Sequence, residues 1–433
     1  MKISYGSNTL INFSYAFLVI IILVLLTDGI FLELLVGERP EGQPLAFTPD
    51  KFLLPLAFLI AIISFFRQES FMRKTTFLAL IYFSFLILES LYYYNQVMVY
   101  PHVFTKLMVL FVVPFVYVFF REVKQSKMKL IVYAILIAFF LDLILYKTEV
   151  LSFSSFVDTK RGFSAASTYL LLFAGIYFFN KYMEKGSTAD LLLFLVVMGF
   201  VAFLQHRSVW IAAVVALFFN VLFLYTKSQV KIGMKFIPII LIPLFSIFIV
   251  GALVLIDNPE IAKTFERRFD DILNFKEEGT GSWRYEQFLS YWPFVEDAIL
   301  TGQRFKGFEL PIQFYHPDAG TPYFNDGTGH HFHSFYLDKL FYLGIIGTII
   351  VILPVLYFFY KVFKKKSLTT EELVLASFLI SIFAFGFSYN WPVFIYGLTG
   401  IGCAFIEQEE GEEEQIEEVS NTENKIKFEK ELV

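Results

Sequence analysis

The sequence predicts an all-α fold, a polytopic bundle of about twelve transmembrane helices with one large extracytoplasmic loop. Three observations carry that expectation. Of 433 residues, 57% are hydrophobic and only 17% are charged. Mean hydropathy is +0.62. The apolar residues gather in blocks of roughly 17 to 25, the length a helix needs to cross a hydrocarbon core of about 30 Å. A soluble chain usually carries about 25% charged residues, so the apolar excess must face lipid. A soluble enzyme, a secreted disulfide scaffold and a disordered chain are excluded.

The blocks run 9–27, 51–66, 75–94, 103–120, 128–146, 164–182, 189–205, 208–225, 236–256, 334–360, 371–388 and 391–406. Closely spaced blocks read as antiparallel helical hairpins, because an open sheet in lipid leaves backbone groups unpaired. The first run lacks a small-residue cleavage site after it, which reads as a retained helix. Cys403 is the one cysteine, so no intrachain disulfide forms.

Basic residues orient the helices, since Lys and Arg gather on the cytoplasmic side. Arg67, Arg73 and Lys74 follow the second block, and Arg121, Lys124, Lys127 and Lys129 the fourth. Lys181 and Lys185 close the sixth, Lys227, Lys231 and Lys235 follow the eighth, and Lys361, Lys364, Lys365 and Lys366 the tenth. Every second connection is basic. Both termini are therefore expected in the cytoplasm, and residues 257–333 outside. This divides the chain into a bundle of nine spans (1–256), a large outer loop (257–333), three further spans (334–406) and an acidic cytoplasmic tail (407–433). The net charge of −5 and the Glu-rich tail argue against a nucleic-acid partner.

The outer connections are poor in positive charge, yet three isolated arginines stand on them: Arg161, Arg207 and Arg284. Each lies where the chain approaches the membrane, and an anion arriving from outside is the partner expected for them. From Trp283 to Phe294 aromatic residues recur closely enough for a helix in the headgroup zone, with Arg284 at phosphate level. The competing reading of Arg284 is a snorkelling anchor. Tyr315-His316-Pro317-Asp318 to Asn325-Asp326-Gly327 is loop chemistry, and its rings and amides suit either sugar contact or an ordered turn.

His330-His331-Phe332-His333 then leads into the tenth span. A metal site there would need a fixed ligand geometry with Asp326 or Asp338 in support. Adjacent histidines rarely point at one ion, so no metal is assigned. One imidazole acting as a general acid or base fits better, because histidine titrates near neutral pH. A histidine that only packs at a helix start is the bland alternative. Glu89 and Asp142, near the outer ends of their helices, are functional candidates as intramembrane carboxylates, but a structural role fits an interfacial position at least as well, and neither is assigned to catalysis.

The stretch from Trp283-Arg284 through Gly302 and Gly307 to His333-Ser334-Phe335-Tyr336-Leu337 and Leu343-Gly344-Ile345-Ile346-Gly347 resembles the bacterial O-antigen ligase and O-antigen polymerase superfamily. Arg161-Gly162-Phe163 and His206-Arg207-Ser208 resemble that family's other arginine positions. Ser334 departs from the usual Asn, and Gln303-Arg304-Phe305 from a more glycine-rich turn. The resemblance implies a GT-C-like membrane glycosyltransferase of the bacterial inner membrane. Its donor is a glycan on undecaprenyl pyrophosphate, and its acceptor is lipid A core or a second lipid-linked glycan. Ligase and polymerase differ only in that acceptor. It implies His333, Arg284 and Arg207 as catalytic residues, with Arg207, Arg284, Arg161 and His331 binding the pyrophosphate and glycan. No cofactor is implied, and membrane lipids are the remaining partners.

Two readings from other classes compete. A flippase or other transporter should show internal repeats and broken helices with polar residues at the midplane. No convincing repeat is present, and a long one-sided loop is hard to explain for a carrier. A scaffold recruiting partners through the acidic tail leaves the outer arginines and histidines without a task.

Overall fold

The computed structural model describes residues 7–37, 48–152, 161–228, 230, 233, 236–239, 241–242, 282–312 and 332–408. Among these residues every regular element is helical. In chain order the main helices are α1 (Ser7–Leu25), α2 (Gly29–Val36), α3 (Pro49–Ile63) and α4 (Ser70–Tyr94). Then come α5 (Pro101–Phe120), α6 (Met128–Leu145), α7 (Ala165–Lys185), α8 (Thr188–Phe203) and α9 (Arg207–Lys227). The last four are α10 (Ser282–Asp297), α11 (Phe335–Lys364), α12 (Thr370–Phe385) and α13 (Val393–Gln408). Every expected apolar block coincides with one of these helices except 236–256, most of which lies outside the described residues. So do most of the connection 257–333 and the tail beyond Gln408.

Among the described residues five helices are long and apolar enough to cross a bilayer, or six if α1 and α2, bent by 99° at their junction, form one span. The bend was not expected from the sequence. Asp28 holds it: its carboxylate accepts from the amide of Ile30 at 3.1 Å and from the Ser167 hydroxyl at 2.8 Å. Those bonds satisfy a break that is buried among helices, as a low-dielectric interior requires.

Helix α7 is the axis of the bundle. It packs against α6, α8, α9 and α12, and nearly its whole length is buried. Several of its polar groups are satisfied by protein. The Tyr169 hydroxyl donates to the Phe378 carbonyl at 3.0 Å and pairs with Ser381 at 2.8 Å, while its ring is stacked between Phe378 and Phe385. Helix α9 turns Ala212, Ala213, Ala216 and Asn220 inward against its neighbours, and Asn220 donates to Ser377 of α12 at 3.0 Å. Small side chains let two backbones approach where lipid supplies no hydrophobic drive between helices. The opposite face of α9 exposes Ile211, Val214 and Phe218, an apolar surface suited to lipid.

The connections form two rims. At one, Arg121 donates to the Arg67 carbonyl, Thr369 pairs with Gln125, Lys181 with Glu371, and Lys227 with the carbonyls of Phe363 and Lys365. Most of the lysine-rich connections meet here. The ends of α8 and α12 and the starts of α7, α9, α10 and α11 lie at the other.

The sequence reads 334–360 as one continuous span, and the structure breaks it at Gly344, whose φ of 64° and ψ of −171° are non-helical. The backbone after α10 fills the break. Gln303 donates its amide to the Phe341 carbonyl at 2.7 Å, and the amides of Ile345 and Ile346 donate to the carbonyls of Ile299 and Leu300 at 2.9 and 3.1 Å. Backbone meets backbone because Gly302, itself at φ 71°, faces Gly344: a Cβ on Gly302 would lie 2.5 Å from the Gly344 amide nitrogen, and one on Gly344 2.4 Å from that of Gly302. No side chain fits on either.

Gly302→Ala and Gly344→Ala are each expected to lower stability by on the order of 3 kcal/mol, the sum of left-handed backbone strain and overpacking. Gly199→Ala, with open space around its Cβ, serves as a control that leaves the midpoint at or above wild type. Thermal unfolding in detergent micelles reads the difference. A Gly302→Ala protein with unchanged midpoint and unchanged amide exchange at Ile345 and Ile346 would refute the clamp.

Candidate functional site

The site is built from three chain segments that approach His333 and Arg284. The Gly302–Gly344 clamp fixes α10 beside α11, which sets the start of one helix against the start of the other. Trp283, in the first turn of α10, has its ring 5.1 Å from the His333 imidazole in a T-shaped contact. Arg284 lies beside it, the guanidinium carbon 4.6 Å from the Trp283 ring. His333 immediately precedes α11. Ser334 caps that helix, accepting weakly from the Leu337 amide at 3.5 Å and donating to the Gly386 carbonyl at 3.4 Å. The hydroxyl thus has a local structural use where the family pattern has an amide.

The third segment is the turn between α12 and α13, which the sequence reading missed. Tyr389 presents its ring 5.2 Å from the Arg284 guanidinium and 6.2 Å from the imidazole of His333. Asn390 donates from Nδ2 to the Phe332 carbonyl at 2.7 Å, and the Phe335 amide donates to the Gly386 carbonyl at 2.9 Å. Trp391 stacks on Phe335 at 4.1 Å. The available signal was Ser388-Tyr389-Asn390-Trp391, a polar and aromatic interruption between two apolar blocks. Its position inside an otherwise continuous hydrophobic region made it look like an ordinary hairpin.

Arg161 and Arg207 complete the cluster. Burial pushes the Arg284 guanidinium down from its ordinary value. Tyr389, which accepts a hydrogen bond from it, opposes that change, and the positive charges of Arg161 and Arg207 add to it. Arg284 therefore lies within the field of both other guanidinium groups. Arg161 stands just before the α7 N-terminus, where Ser164 caps the helix through the Ser167 amide at 3.0 Å. Arg207 is the first residue of α9.

His206, beside Arg207, is not used as a helix cap. Its Nε2 bonds to the Phe163 carbonyl at 2.8 Å, tying the start of α9 to the segment that carries Arg161. Burial pulls its pKa down to about 4; the Phe163 hydrogen bond opposes this and the charge of Arg161 reinforces it. The ring is thus held neutral, a donor from Nε2.

Of the residues expected from sequence, Arg161, Arg207, Arg284 and His333 come together, and His331 lies outside the described residues. Glu89 is engaged elsewhere, in an ion pair with Arg304 at 2.8 Å. That pair holds Arg304 in the left-handed region at φ 49°, in the turn where the family pattern is richer in glycine. Asp142 is fully buried in α6. Among the described residues no group of three or more His, Cys, Asp and Glu is placed to hold a metal ion.

Residues 191–352 match the family model described as O-antigen ligase. No curated protein matches the chain. The matched stretch contains Arg207, Arg284, His333 and both clamp glycines, and it excludes Arg161 and Tyr389.

The neutral His206 gives a pH prediction. An unfolded histidine titrates near 6.5 and the native one at about 4, so its stabilising contribution is complete above pH 6.5 and is lost as pH falls from there through 4. Thermal midpoints measured between pH 7.5 and 4.5 should fall less steeply in His206→Gln than in wild type. Parallel slopes would contradict the assignment.

Proposed function

We propose, from the premise that residues 191–352 carry the domain of the O-antigen ligase and polymerase superfamily, that this protein is a membrane glycosyltransferase using a polyprenyl-pyrophosphate-linked glycan as donor. The acceptor is a hydroxyl of lipid A core, or of a second lipid-linked glycan in the polymerase reading. The bundle crosses the bacterial inner membrane about twelve times, the span count that the apolar blocks give. The basic rim and both termini are cytoplasmic, and the arginine end is outside.

One observation carries this reading: Arg161, Arg207 and Arg284 share a field at the same end of the bundle as the imidazole of His333. Sugar nucleotides and ATP are absent outside the inner membrane, so a donor working there must carry its own leaving group. A glycosyl diphosphate does. In the transfer, the acceptor oxygen forms a bond to the anomeric carbon, the bond from that carbon to the diphosphate oxygen breaks, and the electron pair leaves with the diphosphate. The acceptor proton passes to the His333 imidazole. Negative charge grows on the departing phosphates, and guanidinium groups supply permanently charged planar donors for it. Partial burial of Arg284 strengthens that interaction, because charge stabilisation is larger where water is excluded. A diphosphate between the three arginines also lowers their mutual repulsion.

With purified full-length protein in nanodiscs, Arg284→Ala and Arg207→Ala are each expected to lower turnover about 10²- to 10³-fold, as loss of a transition-state charge donor does. His333→Ala is expected to lower it about 10²- to 10⁴-fold, the range for loss of a general base. All three should remain folded and membrane-inserted. An undecaprenyl-pyrophosphate glycan is offered with lipid A core or with a second copy of itself: product on the first makes the protein a ligase, and a ladder on the second a polymerase. Full turnover in all three variants would remove the site. Labelling of cysteines at 284 and 333 from opposite sides of the bilayer would remove the reading altogether.

A further inference from the structure

We infer that Tyr389 is a positioning residue of this site, fixing the Arg284 guanidinium and the His333 imidazole relative to each other, and that the turn 386–391 is part of the catalytic apparatus although it lies beyond the matched stretch. The inference rests on the transferase reading for its kinetic consequences, but its structural content is independent of that reading.

Tyr389 touches three groups at once. One contact is the Arg284 guanidinium, 5.2 Å from its ring centroid and hydrogen bonded to its hydroxyl. Another is the ring of Phe385, stacked at 5.2 Å. The third is His333, whose imidazole approaches at 6.2 Å with the planes 80° apart. The ring is backed by Phe385, so it cannot retreat from the guanidinium. A planar guanidinium held by a cation–π contact and a hydrogen bond has its fork orientation set before substrate arrives, and orientation of that kind is what positioning contributes to rate.

The turn is itself anchored to the segment it positions. Asn390 and Gly386 bond to the backbone at Phe332 and Phe335, on either side of His333, and the Tyr336 hydroxyl donates to the Phe383 carbonyl at 2.8 Å. Gly386 permits this, because a Cβ there would lie 2.5 Å from the Trp391 indole nitrogen. Arg284 on α10 and His333 before α11 are far apart in sequence, and among the described residues Tyr389 and Trp283 are rings that contact both.

Two substitutions separate the hydroxyl from the ring. Tyr389→Phe keeps the ring and should lower kcat about tenfold with KM within about twofold. Tyr389→Ala should lower kcat about a hundredfold, in the range expected for misplacement of a reacting group by about 1 Å. The double variant Arg284→Ala/Tyr389→Ala should be slower than Arg284→Ala by clearly less than the factor that Tyr389→Ala costs in wild type, because only the contact to His333 is left to lose once Arg284 is gone. Multiplying losses, or wild-type kcat in Tyr389→Ala, would overturn the inference. The substrate-free measurement is the Nε–H resonance of Arg284 in ¹⁵N-arginine-labelled full-length protein, assigned by its loss in Arg284→Lys. It should shift in Tyr389→Ala, which removes the ring beside the guanidinium, and an unmoved resonance would overturn the inference whatever the activity. A shifted resonance in a protein that transfers nothing from a lipid diphosphate would leave the contact standing and remove the transferase reading.

Discussion

In lipid, a broken helix must find partners for the backbone groups it frees, because water is not there to take them. Gly344 breaks α11, and the chain from Ile299 to Gln303 supplies those partners through three backbone hydrogen bonds. That single docking decides where α10 can sit. With its C-terminal end pinned to the break, its first turn reaches the start of α11, and Trp283 and Arg284 arrive beside His333. The geometry of the site follows from the need to satisfy a few amides and one carbonyl some distance from it. Broken helices are also a feature of carriers, but here the break is used for internal closure, and the groups that a carrier would turn toward cargo are bonded to the segment after α10.

The arginines sit where repulsion among them must be tolerated in the absence of an anion. Burial and the neighbouring charges both act against the cationic form of Arg284, and two aromatic faces with the Tyr389 hydroxyl act in its favour. A ring face and a neutral oxygen stabilise the cation and keep its net charge, which is the arrangement an anion-binding site needs.

Much of this was legible in the sequence, for reasons that differ by element. The helices followed from block length and composition, which the bilayer thickness imposes on any spanning segment. Arg161, Arg207 and His333 stood out as candidates because charge is rare in such a chain and each is at the edge of an apolar block, and Arg284 because it lies in an aromatic stretch of the outer loop. Tyr389 was not readable. In a chain with 24 tyrosines, one more aromatic residue at a hairpin carries no signal until the fold sets it against a guanidinium. The break at Gly344 was missed because hydropathy does not change there, and at Asp28 the end of the apolar block does not reveal that a second short helix turns back at 99°. Each is decided by a tertiary partner, Ser167 in one case and the backbone of Leu300 and Gln303 in the other.

The two ends of the bundle treat positive charge in opposite ways. At the lysine-rich rim, Lys227 binds the carbonyls that end α11, Lys365 pairs with the buried carboxylate of Glu372 at 2.7 Å, and Glu372 with Thr369 forms a capping box for α12. Those cations close helix ends, where the dipole favours them. At the other end the positions are reversed: Arg207 stands in the first turn of α9 and Arg284 near the start of α10, where the helix dipole disfavours a cation. A fold selected only for stability would place acidic residues there. Arginines at helix N-termini, partly buried, add to the positive potential of the helix ends, a summed potential that favours an anion.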